Sequence, residues 1–206
     1  MPDYGSGTLS PWAGKDHGAT GDFAAADVGL VGDSITNLCR GELAVALSAL
    51  DKTLAVDYWS GRPAEPAVTA LLARPALPRI LLFANFTNDV FQPYNGTPLV
   101  GAATSQIERL KDGVGDLGVE HLLVTDIQVC RPGFETYDQR NTGLINGQIH
   151  DAFDLDHICE WNWWLTGRGT GYLSTYLDSG GVHPTEAGKK FWRAVQMLKI
   201  QPLLEA

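Results

Sequence analysis

Residues Asp27–Thr36, DVGLVGDSIT, decide how this chain is read. Asp27–Gly32 is a short, mostly apolar run closed by a glycine, the pattern of a buried strand. Ser34–Leu50 follows as an amphipathic stretch. Leu43, Leu47 and Leu50 recur in it at i, i+4 and i+7, on one face of a helix. A strand that turns directly into a helix leaves free backbone N–H groups at the turn. Ser34 stands at that turn. Asp33 and Ser34 are also favoured helix N-cap types, and taken alone the pair reads more simply as a cap.

The same alternation continues along the chain. Residues 52–59, 78–86, 119–129 and 156–164 read as further strands. Residues 63–73, 104–117, 141–153 and 184–200 read as helices between and after them. Strict alternation predicts an α/β fold of right-handed βαβ units, with a parallel sheet covered on both faces. Residues 1–26 are rich in Gly, Ser, Pro and Asp and read as an irregular lead-in, with 27–206 as one domain. In such sheets ligands bind beyond the carboxyl ends of the strands. Those ends are Gly32–Ser34, Trp59–Arg62, Thr87–Phe91, Gln128–Tyr137 and Trp161–Thr170.

Composition narrows the function classes. The formal charge of −9 over 206 residues repels phosphate backbones and argues against nucleic-acid binding. No apolar run reaches the roughly 18 residues of a membrane span. The N-terminus lacks a basic start and an apolar core, which predicts a cytoplasmic protein unless a leader was removed. Cys39, Cys130 and Cys159 are far apart and show no CxxC spacing, so no metal site is expected. They read as three small buried hydrophobes, or as one bridge and a free thiol.

Three further strand ends bear on Ser34. YWSGRP ends the second strand at Gly61, where a missing side chain lets a backbone N–H approach a ligand. FTNDVF ends the third strand with Asn88 and Asp89, and the Asn88 amide is a candidate donor to an oxyanion. GGVHPTEAG puts His183 just before the last helix. Each has a plain alternative: a turn glycine, an Asx turn and a surface histidine.

In this order, GDSIT, the glycine of YWSGRP, TND and VHPTEAG resemble the four blocks of the SGNH (GDSL-type) hydrolases, over residues 27–199. The resemblance implies a flavodoxin-like three-layer α/β/α fold with five parallel strands in the order 2-1-3-4-5. It implies a serine enzyme that cleaves esters without metal or organic cofactor. It makes Ser34 the nucleophile and His183 the general base, with the N–H groups of Ser34 and Gly61 and the Asn88 amide as the oxyanion hole. The substrate would be a small-molecule ester: an acyl, lipid or acylated-sugar compound.

Two positions depart from the family pattern. Phe86 stands where the third block usually carries glycine. Gly180 stands where the family's Asp-x-x-His places the acid, and the nearest upstream acid is Asp178, five residues before His183. DSGGVHP reads as that motif with two extra residues, keeping Asp178 as the acid. The alternatives are a Ser34–His183 dyad or an acid from elsewhere.

Aromatic residues crowd the same end of the sheet. Phe86, Phe91, Tyr94 and Trp161 are candidates for substrate contact, beside Phe134, Tyr137, Trp163 and Trp164, and core packing is the competing reading. Arg62 and Arg131 would meet an anionic group or pair with Asp57 and Glu135. An acyltransferase using an alcohol acceptor and a weakly active glycan-binding domain are the rival functions.

Overall fold

The computed structural model describes residues 15–91, 99–166 and 173–205. Strand β2 (Val28–Gly32) leads into helix α1 (Ser34–Ser48), and β3 (Leu54–Trp59) into α2 (Ala64–Leu72). Strand β4 (Ile80–Ala84) precedes α3 (Leu99–Val114), and β5 (His121–Thr125) precedes α4 (Glu135–Ala152). Strand β6 (Ile158–Cys159) is followed by the short α5 (Trp161–Thr166) and α6 (Leu173–Tyr176), and α7 (Glu186–Glu205) closes the chain. The parallel strands lie in the order β3-β2-β4-β5-β6, which is the expected 2-1-3-4-5.

Three expectations need correction. The sheet has six strands, because β1 (His17–Thr20) from the supposed irregular lead-in pairs antiparallel with β3. A four-residue edge strand held by main-chain bonds needs no apolar alternation, and His17–Thr20 has none. The fifth parallel strand shrinks from 156–164 to Ile158–Cys159, and Trp161, Trp163 and Trp164 belong to α5. Helix α4 begins at Glu135, six residues before the expected Asn141. Its early turns carry Asp138, Gln139 and Arg140, polar residues that mask the apolar period.

The sheet alternates its side chains into two cores. Val31, Leu81, Phe83 and Val124 face α2, α3 and α4, where Val68, Ile107, Leu110 and Ile145 meet them. Leu30, Leu82 and Leu123 face α1 and α7, meeting Leu43, Leu47, Trp192 and Val195. Each fully buried leucine contributes about 1.5–3 kcal/mol of transfer free energy. Leu50 lies beyond the end of α1 and is 40% exposed.

Helix starts are capped in a way that brings strand ends together. Asp33 caps α1 by accepting from the Ile35 N–H at 2.9 Å. Pro63, before α2, has no side-chain cap bond, and the carboxylate of Asp89 accepts from the Ala64 N–H at 3.0 Å instead. At α7, Thr185 Oγ1 accepts from the Gly188 N–H at 3.1 Å. Between β4 and Asp89, Phe86 is fully buried at φ 78°, in the left-handed region. That is the conformation for which the family's glycine is suited. The Phe86 ring packs edge-on against Phe83 with centroids 5.5 Å apart, so apolar burial offsets a backbone cost of about 1–2 kcal/mol.

Replacing Phe86 separates the two effects. Phe86→Ala removes the ring but keeps a Cβ at positive φ, and is expected to cost about 3–5 kcal/mol. Phe86→Gly also relieves the backbone and should be about 1 kcal/mol less damaging. Urea unfolding checks the order, and glycine proving the worse residue would contradict the strained backbone.

Burial pushes the Asp89 carboxyl up to about 8, although the Ala64 N–H bond acts against the shift. Its proton is therefore held more tightly folded than unfolded. Stability should fall as pH rises from about 4 to about 8 and level off above. Asp89→Asn keeps an acceptor for Ala64 and removes the ionisation. Its melting temperature should decline less than wild type between pH 5 and pH 8, and parallel curves would refute the assignment.

Candidate active site

Ser34 is the first residue of α1, placed by the cap bond of Asp33 at the carboxyl end of β2. His183 Nε2 lies 3.0 Å from Ser34 Oγ, across 149 residues of sequence. That is hydrogen-bonding distance, with the hydroxyl donating when Nε2 is unprotonated. The chain thus brings together the two residues on which the sequence reading depended most.

The loop carrying His183 is a closed turn. Leu177 and Pro184 form an isolated antiparallel bridge, and the Asp178 N–H donates to the His183 carbonyl at 2.8 Å. The Gly181 N–H donates to the Asp178 carbonyl at 2.9 Å. Gly181 takes φ 69°, and a side chain there would stand 1.9 Å from the Cys130 carbonyl oxygen. The Cys130 N–H donates back to Gly181 at 2.9 Å, so the histidine loop leans on the segment after β5.

This turn puts Asp178 directly opposite His183. The nearer approach of carboxylate to imidazole is 3.8 Å, between Asp178 Oδ2 and His183 Nδ1, with both side chains a little under half exposed. That is ion-pair range but longer than a hydrogen bond. The other oxygen, Oδ1, accepts from the Gly180 N–H at 3.1 Å and the His183 N–H at 3.4 Å. The carboxylate thus shapes the turn while facing the ring.

Asn88 sits in a 3₁₀ turn, Thr87–Val90, after β4. Its Nδ2 donates to Asp33 Oδ2 at 3.3 Å and to the Arg62 carbonyl at 3.4 Å. Ser34 follows the first of these partners and Gly61 precedes the second. The amide is therefore next to both other expected oxyanion donors, and its two present bonds are long. Gly61 follows β3 at φ 80°, and the Arg62 N–H closes the turn onto the Trp59 carbonyl at 3.0 Å.

A buried polar network supports these turns. Asp33 is fully buried and burial pushes its carboxyl up to about 6, opposed by the Ile35 N–H, Thr87, His183 and Arg62. Arg62 is almost fully buried. It donates to Asp57 Oδ1 at 3.0 Å and to the Gly32 carbonyl at 2.9 Å, so of its two expected roles it takes the pairing one. Asp57 also holds Arg74 at 2.6 Å. Arg131 is paired as well, but with Asp138 at 2.8 Å rather than with Glu135.

Of the aromatic candidates, Phe86 and Trp161 are buried in the core, with no surface left for a substrate, because each fills space beneath a helix. Phe91 is partly buried and lies under the Arg131 guanidinium, 4.4 Å from its ring centroid. Tyr94 lies outside the described residues. Phe134, Tyr137 and Trp163 are exposed. A cavity of about 10 Å³, the size of one water, lies between Ile35, Asn85, Asp126 and Trp161. Two larger hollows lie elsewhere, one by Lys111 and Phe153 and one by Trp164 and Leu203, and neither includes Ser34 or His183. Among the described residues no cluster of His, Cys, Asp and Glu is arranged to hold a metal. All three cysteines are free, Cys39 and Cys159 buried and Cys130 half-buried.

Sequence reasoning missed the network behind the site. Asp33 was visible as a cap but not as the acceptor for Asn88, and nothing in KDHGAT marked a strand that reaches the Gly61 turn. Both depend on pairings between segments far apart in the chain.

No protein-family model and no curated protein matches this sequence. Solved structures do match its fold. A lipase/acylhydrolase from Enterococcus faecalis aligns at 15% identity over 85% of this chain and 95% of its own, with a TM-score of 0.63. An acetylxylan esterase from Geobacillus stearothermophilus aligns at 14% identity over 86% and 95%, with a TM-score of 0.61. A family 3 carbohydrate esterase from Clostridium thermocellum aligns at 15% identity over 87% and 97%, with a TM-score of 0.61. The resemblance to SGNH hydrolases that four short blocks carried therefore extends to the fold of nearly the whole chain: it is the fold of GDSL-like lipases and acetylxylan esterases.

Proposed function

We propose that the protein is a serine esterase that hydrolyses carboxylic esters through an acyl-serine intermediate. The observation that carries this reading is the 3.0 Å approach of His183 Nε2 to Ser34 Oγ at a helix N-terminus. A serine hydroxyl becomes an effective nucleophile when a positioned base takes its proton.

Ser34 Oγ attacks the ester carbonyl carbon as its proton passes to His183 Nε2. The carbonyl oxygen becomes an oxyanion facing the N–H groups of Ser34 and Gly61, and the Asn88 amide turns to it from its long bond to the Arg62 carbonyl. Developing negative charge is also favoured at the positive end of α1. The tetrahedral intermediate collapses, and the leaving alkoxide takes the proton from His183. Water then attacks the acyl-serine with His183 again as base, releasing the carboxylic acid and restoring Ser34. Asp178 faces Nδ1 on the far side of the ring from Ser34.

Water is the favoured acceptor. The His183 side chain is 43% exposed. Transfer to an alcohol requires a site that keeps water out. A domain that only binds a ligand gains nothing from a serine and a histidine held in this contact.

Ser34→Ala is expected to lower kcat on p-nitrophenyl acetate by about 10³-fold or more. Wild-type rates in the variant would refute the reading. Asp178→Ala should cost less, roughly ten- to a hundredfold, because its carboxylate is solvated and stands beyond hydrogen-bond length. A loss as large as that of Ser34→Ala would mean that Asp178 closes onto the ring when substrate binds.

A further inference from the structure

Strand β1 brings a cation to the candidate active site. Its antiparallel register pairs His17 with Trp59. Continued by two residues, that register sets Lys15 against Gly61. The Ser60 N–H donates to the Asp16 carbonyl at 2.8 Å, extending the pairing past the strand. The ammonium then lies over the glycine, since a methyl group on Gly61 would stand 2.7 Å from Lys15 Nζ.

This ammonium has no acidic partner among the described residues. Asp57, the strand acid nearest in sequence, is engaged by both Arg62 and Arg74. The lysine stem fills the space that a side chain on Gly61 would take. Two residues on, His17 at the start of β1 stacks on Trp59 with centroids 4.7 Å apart.

The sheet order decides which half of a substrate it would meet. Ser34 follows β2, Gly61 follows β3 on one side of it, and β4 and β5 lie on the other. The His183 loop rests on Cys130, after β5. The leaving alcohol takes its proton from His183 and so departs on the β5 side. Lys15 stands on the opposite, β3 side of Ser34, where the acyl group would lie.

We propose that Lys15 forms an anion-binding subsite beside Gly61 that selects esters whose acyl half carries a carboxylate, such as half-esters of short dicarboxylic acids. This rests on the esterase reading for its catalytic consequence, though not for binding. A carboxylate in place of a terminal methyl would pair with Nζ, and the ester carbonyl would keep its place at Ser34.

The test uses two esters of similar size, methyl hemisuccinate and methyl butyrate, titrated by NMR into the full chain carrying Ser34→Ala. The hemisuccinate should bind more tightly, by about fivefold, the scale of a partly exposed ion pair. The preference should vanish when Lys15→Met is added, survive with Lys15→Arg, and weaken with salt. No preference for the anion in the Ser34→Ala protein, or a preference that Lys15→Met leaves intact, overturns the proposal. Hydrolysis of the p-nitrophenyl esters of the same acids by the wild-type chain tests the esterase reading separately. Failure to turn over either ester would sink that reading alone, because the binding preference is measured without turnover.

Discussion

The carboxylate of Asp33 is the point on which the site depends. One oxygen caps α1 through the Ile35 N–H and the other receives the Asn88 amide. Ser34 is the next residue, and Thr87 and Arg62 act on the same carboxylate. One fully buried acid thus joins the ends of β2, β3 and β4 around the nucleophile position. Water is excluded from it, so each bond to it is stronger than the same bond on the surface, and each missing bond would be costly.

The same device recurs along the carboxyl edge of the sheet. Asp89 supplies the cap that Pro63 cannot, at Ala64 of α2. Asp126, after β5, accepts from the Asn162 N–H at 2.6 Å in the first turn of α5. Its own buried carboxyl is shifted upward, and His150 stands 3.8 Å away. Helix N-termini present unpaired donors, and a buried carboxyl oxygen supplies an acceptor for one of them. Three helices are therefore oriented by acids that belong to the ends of strands. The cost appears in the raised proton affinities of Asp33 and Asp89, both paid in desolvation.

Much of this was legible one segment at a time. The apolar runs of β2, β3, β4 and β5 and the leucine spacing of α1 are local patterns. The order of Ser34, Gly61, Asn88 and His183 carried the fold resemblance because each lies beside a turn that glycine, proline or a cap residue marks. Where local pattern and tertiary demand diverged, the reading failed. Trp161, Trp163 and Trp164 have strand-forming side chains, yet Asp126 caps the segment as a helix. Phe86 has a preference against positive φ, yet a buried site beside Phe83 holds it there.

The sequence by itself determined the βαβ alternation, which rests on periodicity and turn chemistry acting over a few residues. The strand order, and the choice of Ser34 and His183 among the serines and histidines, came from the resemblance of its four blocks to a known family. Only the tertiary structure decided that His183 meets Ser34 at 3.0 Å, that Asp178 faces the ring at 3.8 Å, and that β1 sets Lys15 beside Gly61. Those are distances between segments far apart in the chain. They are fixed by sheet register, by a glycine pressed against Cys130 and by buried carboxylates that tie strand ends together.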